Sequence, residues 1–138
     1  MNVMYTAVAT ASGDGRNGHS ESEDGQLSVD VRVPKEMGGP GGGTNPEQLF
    51  AAGYAACFHS AFKVAGRSES ADLTDSQVSA SVGIGAQPSG GFGLTVALDI
   101  HAPHLDRTSA LELASKAHQL CPYSNAIKGN VDVTLSVV

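Results

Sequence analysis

Tryptophan is absent from this 138-residue chain, and cations are scarce, with 8 lysines and arginines against 14 aspartates and glutamates. A net charge of −6 argues against nucleic acid and anionic membrane surfaces as partners, because both require clustered Lys and Arg. No run approaches the roughly 20 apolar residues of a spanning helix. Residues Met1–Thr10 lack the basic start and apolar core of a secretory leader, so a cytoplasmic location is expected. Charged residues make up only 16%. With 41% hydrophobic residues, the chain is nonetheless no disordered polymer, which would combine low hydrophobicity with high net charge. Cysteine is limited to Cys57 and Cys121, fewer than a small disulfide-stapled secreted scaffold carries. Three fates remain for them: inert packing, metal binding or redox chemistry.

What is abundant is glycine, with 17 residues. Small residues and few charges suggest a single domain, 1–138, that hides additional surface in an oligomer. Tyr5–Ala11 and Leu27–Val33 read as strands, the second by clean two-residue alternation. Gly13-Asp14-Gly15-Arg16-Asn17-Gly18 and Asp24-Gly25 carry turn chemistry. Gly38–Gly43 reads as a mobile surface loop. A helix is expected over about 46–65, opened by a Thr44-x-x-Glu47 capping box or by Asn45 with Pro46 at the first position. This helix is apolar nearly all round and therefore expected to be buried. Val78–Ile84 and Leu94–Ile100 form a hairpin across Gln87–Gly91. A second helix spans about 108–120, with Ser109-x-x-Glu112 as its cap and Pro122 beyond its end. Val131–Val138 closes the chain as a strand. Segregated strand and helix runs indicate an α+β fold.

A cysteine inside an apolar helix is most simply a small hydrophobe. Burial also raises a thiol pKa, so a reactive Cys57 requires a cation beside it. Arg16, in its glycine-rich turn, is a candidate, though a solvated turn residue is the plainer reading. Glu47 suits the first helical turn, where a carboxylate meets the helix dipole. It could also hold Arg16 in a bidentate pair. Cys57-x-His59 and His118-x-x-Cys121 offer four ligands for a zinc site. Residues two apart on a helix point about 200° apart, which disfavours Cys57 and His59 as joint ligands. His101 and His104 show no identifying spacing.

Two motifs carry a family resemblance. The segment from Thr44 to Phe58, TNPEQLFAAGYAACF, resembles the central helix signature of the organic hydroperoxide resistance (Ohr) proteins. Cys121-Pro122-Tyr123-Ser124-Asn125-Ala126 resembles their second cysteine motif. Further similarity lies in Val33–Gly39, Gly90–Leu94 and Gly129–Val133, so the resemblance runs nearly end to end. Two positions depart from it: His19 stands where a second Arg is frequent, and His59 where an apolar residue is usual.

The resemblance implies an Ohr/OsmC fold, with antiparallel sheets wrapped around central helices in an intertwined homodimer. It implies a thiol-dependent peroxidase acting on alkyl and lipid hydroperoxides, with Cys57 as the peroxidatic residue and Cys121 as the resolving one. Arg16 would stabilise the Cys57 thiolate and Glu47 would orient Arg16. No bound cofactor or metal is implied; dihydrolipoamide or a lipoylated enzyme would be the external reductant. Phe50, Phe58, Phe92 and Tyr123 are candidate pocket walls, with core packing as the alternative. An OsmC-type peroxidase of different peroxide range and a non-catalytic zinc-stabilised domain are the competing readings.

Overall fold

A computed structural model describes all residues, Met1–Val138. The chain divides into two compact units, Met1–Leu49 and Phe50–Val138.

The first unit is a three-stranded antiparallel sheet of β1 (Ala9–Asp14), β2 (Asn17–Ser22) and β3 (Ser28–Asp30), in that order. The turn between β1 and β2 is tighter than the expected six-residue stretch. Only Gly15 and Arg16 form it, while Gly13 and Gly18 are a cross-strand pair within the ladder. Gly15 takes a positive φ of 55°, as two-residue hairpins demand. A Cβ on Gly18 would stand 2.0 Å from the Ser12 carbonyl oxygen, so this ladder position admits no side chain. The effect of the short turn is to present Arg16 at a hairpin tip. The Leu27–Val33 alternation yields a ladder only over Ser28–Asp30; Val31 instead forms a parallel bridge to Thr44. Strand β2 was not anticipated from the sequence. Its Asn-Gly-His-Ser-Glu-Ser run has no apolar alternation to announce it.

The Gly38–Gly43 stretch is bonded to its surroundings. The Gly39 N–H donates to the Pro34 carbonyl, Gly41 to Val33, and Thr44 to Asp30. A Cβ on Gly39 would lie 2.2 Å from the Val33 oxygen. Here glycine permits close backbone approach as well as freedom.

The second unit carries the main core. Helix α1 (Pro46–Ser68) opens with Asn45, whose Oδ1 accepts from the Gln48 N–H at 2.9 Å. The Asn45–Pro46 start is therefore the one realised, and Thr44 bonds the Gln48 side chain instead. Tyr54, Phe58, Ala61, Phe62 and Ala65 form the buried stripe of α1. Ala52, Ala56, Ser60 and Val64, one turn apart on another face, are exposed. The helix is thus buried along one face in a single chain, not all round as expected.

Strands β4 (Gln77–Ala86) and β5 (Phe92–His101) form the expected antiparallel hairpin, longer at both ends. Helix α2 (Arg107–Leu120) starts one residue earlier than expected because Asp106, not Ser109, is its cap. The Ser109 N–H and hydroxyl both donate to the Asp106 carboxylate. Cys121 ends α2, and a short helix α3 (Pro122–Ile127) follows directly. Proline suits that position because the first helical turn needs no N–H from it. Strand β6 (Val133–Val137) then pairs parallel to β5, giving a mixed sheet β4-β5-β6 rather than an antiparallel one. A parallel pair needs a long crossover, and α2 and α3 supply it.

Tyr54, Phe58 and Phe62 meet Leu98, Ile100 and Leu113 in the core, all at most 1% exposed. Each such burial contributes roughly 1.5–3 kcal/mol. This packing fixes α1 beside the α2–α3 junction. The architecture is α+β, with two small sheets and three helices.

Candidate active site

In the first unit the hairpin tip delivers Arg16 to the start of α1. Its Nη1 and Nη2 donate to the two Glu47 carboxylate oxygens at 2.9 and 2.7 Å. This is the parallel two-bond geometry that a planar guanidinium makes with a carboxylate. The hydrogen bonds from Arg16 hold the Glu47 carboxyl below its usual range, against the opposing effect of burial. The same bond raises the Arg16 pKa. Arg32 is occupied elsewhere, donating to the Gly18 and Val31 carbonyls.

In the second unit α1 and the α2–α3 junction bring the two cysteines together. The fully buried Cys121 thiol donates to Cys57 Sγ at 3.6 Å, and both thiols are free. Burial pushes the Cys57 thiol up, and the neighbouring Cys121 adds to the rise; the Tyr123 backbone N–H opposes both. No cationic side chain of this unit acts to lower it.

Cys57 opens on a groove of about 440 Å³ lined by Ser60, Ala61, Val64, Leu120 and Pro122. None of the four aromatic candidates lines it. Phe58 is fully buried in the core, and Phe92 is 73% exposed at the hairpin end of β5. Phe50 and Tyr123 instead surround Tyr54, with ring centroids 5.8–6.0 Å apart. The true lining was encoded by helical period. Ser60, Ala61 and Val64 lie three, four and seven positions beyond Cys57, on its face of α1, and Leu120 and Pro122 flank Cys121.

The four candidate metal ligands do not converge. His59 Nε2 pairs with Ser76 Oγ at 3.0 Å, and the His118 Nδ1 atom is buried without a hydrogen-bond partner. No three His, Cys, Asp or Glu side chains gather at metal-binding distance. Burial, followed by the charge of Lys63, lowers the His59 pKa.

A profile described as OsmC-like protein matches residues 39–136. The chain belongs to the OsmC/Ohr family. The organic hydroperoxide resistance protein of Xanthomonas axonopodis pv. citri (strain 306) is 52% identical over 137 residues, covering 98% of this chain and 95% of that protein. The organic hydroperoxide resistance protein OhrB of Bacillus subtilis is 44% identical over 136 residues, covering 98% of each. A crystal structure from Legionella pneumophila, described as an organic hydroperoxide resistance protein OsmC, superposes with a TM-score of 0.93 at 52% identity. It covers 99% of this chain and 98% of that one. OsmC/Ohr membership thus supports a peroxide-related function. His19, one of the two departures from the Ohr pattern, pairs with Asp30 at 2.9 Å and Ser28 at 3.1 Å, both on β3. His59, the other, is accommodated by its bond to Ser76.

Proposed function

We propose that this OsmC/Ohr protein is a cysteine-based peroxidase that reduces organic hydroperoxides to alcohols. The observation that carries the reading is the approach of the Cys57 and Cys121 sulfurs to 3.6 Å, with Cys57 lining an apolar groove. Closing that gap to a bond of about 2.05 Å needs only a small shift of side chains.

The Cys57 thiolate attacks one peroxide oxygen, the O–O bond breaks, and the departing alkoxide takes a proton and leaves as the alcohol. Cys57 is left as a sulfenic acid. Cys121 displaces its hydroxyl, giving a Cys57–Cys121 disulfide and water. An external dithiol, dihydrolipoamide or a lipoylated enzyme, then returns two electrons and two protons by thiol–disulfide exchange. No bound metal or cofactor takes part in this scheme.

Arg16 supplies the cation that a buried thiolate requires, held in a fixed orientation by Glu47. The groove side chains Ala61, Val64, Leu120 and Pro122 favour alkyl and lipid hydroperoxides over hydrogen peroxide. The working form is a homodimer, which would cover the exposed Ala52 and Ala56 of α1. Location in the cytoplasm, where lipoylated enzymes and reducing conditions occur, fits the two-cysteine chemistry.

The test is turnover of cumene hydroperoxide with dihydrolipoamide, alongside thiol mass spectrometry after one equivalent of peroxide. An intrachain Cys57–Cys121 disulfide is expected. Full activity in a Cys57→Ser variant would overturn the reading. Arg16→Ala should slow alkylation of Cys57 at neutral pH; unchanged kinetics would remove Arg16 from the mechanism.

A further inference from the structure

Cys121 is fully buried, and its sulfur lies 3.6 Å from the Cys57 sulfur it must attack. Thiolate, not thiol, is the nucleophile in disulfide formation. The proton therefore has to leave a sulfur that solvent does not touch.

A second polar rung lies beside the cysteine rung. Tyr54 precedes Cys57 by three positions on α1, and Ser124 follows Cys121 by three at the start of α3. Side chains three apart on a helix are neighbours. The Tyr54 hydroxyl and Ser124 Oγ are 2.7 Å apart and buried. Burial raises the Tyr54 phenol pKa, the Ser124 hydrogen bond opposes the rise, and charge on either cysteine adds to it. Ser124, although 2% exposed, also walls a polar recess of about 320 Å³ with His118, Gln119, Asn125 and Lys128. Gln119, Asn125 and Lys128 are exposed, so the recess communicates with solvent. It shares no residue with the groove at Cys57. The buried His118 Nδ1 atom belongs to a residue of this wall, with no protein group bonded to it.

We infer that Tyr54 and Ser124 are positioning residues of the resolving step: they conduct the Cys121 proton to water in the His118 recess, away from the groove that receives the peroxide. The inference rests on the proposed roles of Cys57 and Cys121. The Cys121 proton passes to the Tyr54 oxygen as the Tyr54 proton passes to Ser124 and the Ser124 proton to water. The Cys121 sulfur then attacks the Cys57 sulfenic sulfur. An S–S bond forms, the S–O bond breaks, and the released hydroxide takes up one proton from solvent, balancing the proton released into solvent through the recess. The sum is thiol plus sulfenic acid giving disulfide plus water. Two cavities that share no lining residue let proton and oxygen leave separately.

Quenched-flow mass spectrometry of the full chain separates sulfenic acid formation from disulfide formation. In Tyr54→Phe, which removes only the hydroxyl, the second step should slow by at least about tenfold, the lower range of positioned acid–base groups. Ser124→Ala should slow the same step less, because water can replace its hydroxyl. The wild-type second step should slow in D₂O with a curved proton inventory, and Tyr54→Phe should lose that curvature. A second step unchanged in Tyr54→Phe would overturn the inference. So would a slowed step whose isotope response matches wild type, since Tyr54 would then merely lock α1 against α3. Failure of wild-type Cys57 to form sulfenic acid would refute the proposed function itself, a distinct result.

Discussion

Replacing Leu120 by alanine separates an apolar peroxide groove from a mere surface cleft. Leu120 lines the groove at Cys57 and is 53% exposed. The substitution deletes three carbons, each worth about 0.8 kcal/mol when fully removed from water. Roughly half of the side chain is free for a ligand to cover, so the loss of binding to an alkyl hydroperoxide is about 1.2 kcal/mol. That is a fall of about five- to tenfold in kcat/KM. Hydrogen peroxide covers almost none of this surface, and its rate should change less than about twofold. Because Leu120 is already half in water, the variant should melt within a few degrees of wild type. The assay is steady-state turnover of cumene hydroperoxide and hydrogen peroxide with dihydrolipoamide on the same preparation. Equal loss for both peroxides would refute the groove as the apolar recognition surface. An unchanged ratio with a much lower melting temperature would show that Leu120 acts in the fold instead.

The Glu47 carboxyl is depressed in the folded protein, chiefly by the hydrogen bonds from Arg16. Its stabilisation is therefore present above the ordinary carboxylate pKa and is lost as pH falls through the lower folded value. With Arg16 39% exposed, the pair contributes about 1 kcal/mol after screening; Glu47→Gln should flatten the acid limb of melting temperature against pH. Phe58→Ala should cost about 3–5 kcal/mol and lower the melting temperature by about 10–17 °C. The 73% exposed Phe92 should tolerate alanine with little change in thermal unfolding. Gly39→Ala should destabilise measurably in denaturant titration, because its Cβ would meet the Val33 oxygen at 2.2 Å; a neutral result would show that this loop relaxes freely.

Long, periodic elements were legible in the sequence, and the reason is local. Alternation in β4 and β5, the Asn45–Pro46 start of α1 and the proline that ends α2 are each encoded within a few neighbouring residues. Strand β2 escaped because its polar run gains stability from partners on both sides rather than from its own pattern. Helix α3 escaped because six residues are too few to display a period. The parallel pairing of β6 was also invisible, since strand direction follows from the crossover and not from composition. At the site, the aromatic residues are natural candidates for pocket walls, but size alone does not say which way a side chain faces. Phe58 lies one position beyond Cys57, and a 100° turn on the helix sends it into the core.

By itself the sequence determined the α+β class, the central helix, the family likeness and the two cysteines that its motifs carry, because spacing and motif order are properties of the chain. Only tertiary structure decided that Cys121 is buried 3.6 Å from Cys57, that Arg16 clasps Glu47 with both nitrogens, and that Tyr54 meets Ser124. Cys57 with Cys121, and Tyr54 with Ser124, are separated by 64 and 70 positions. No local pattern encodes such contacts; the packing of α1 against the α2–α3 junction brings them into register.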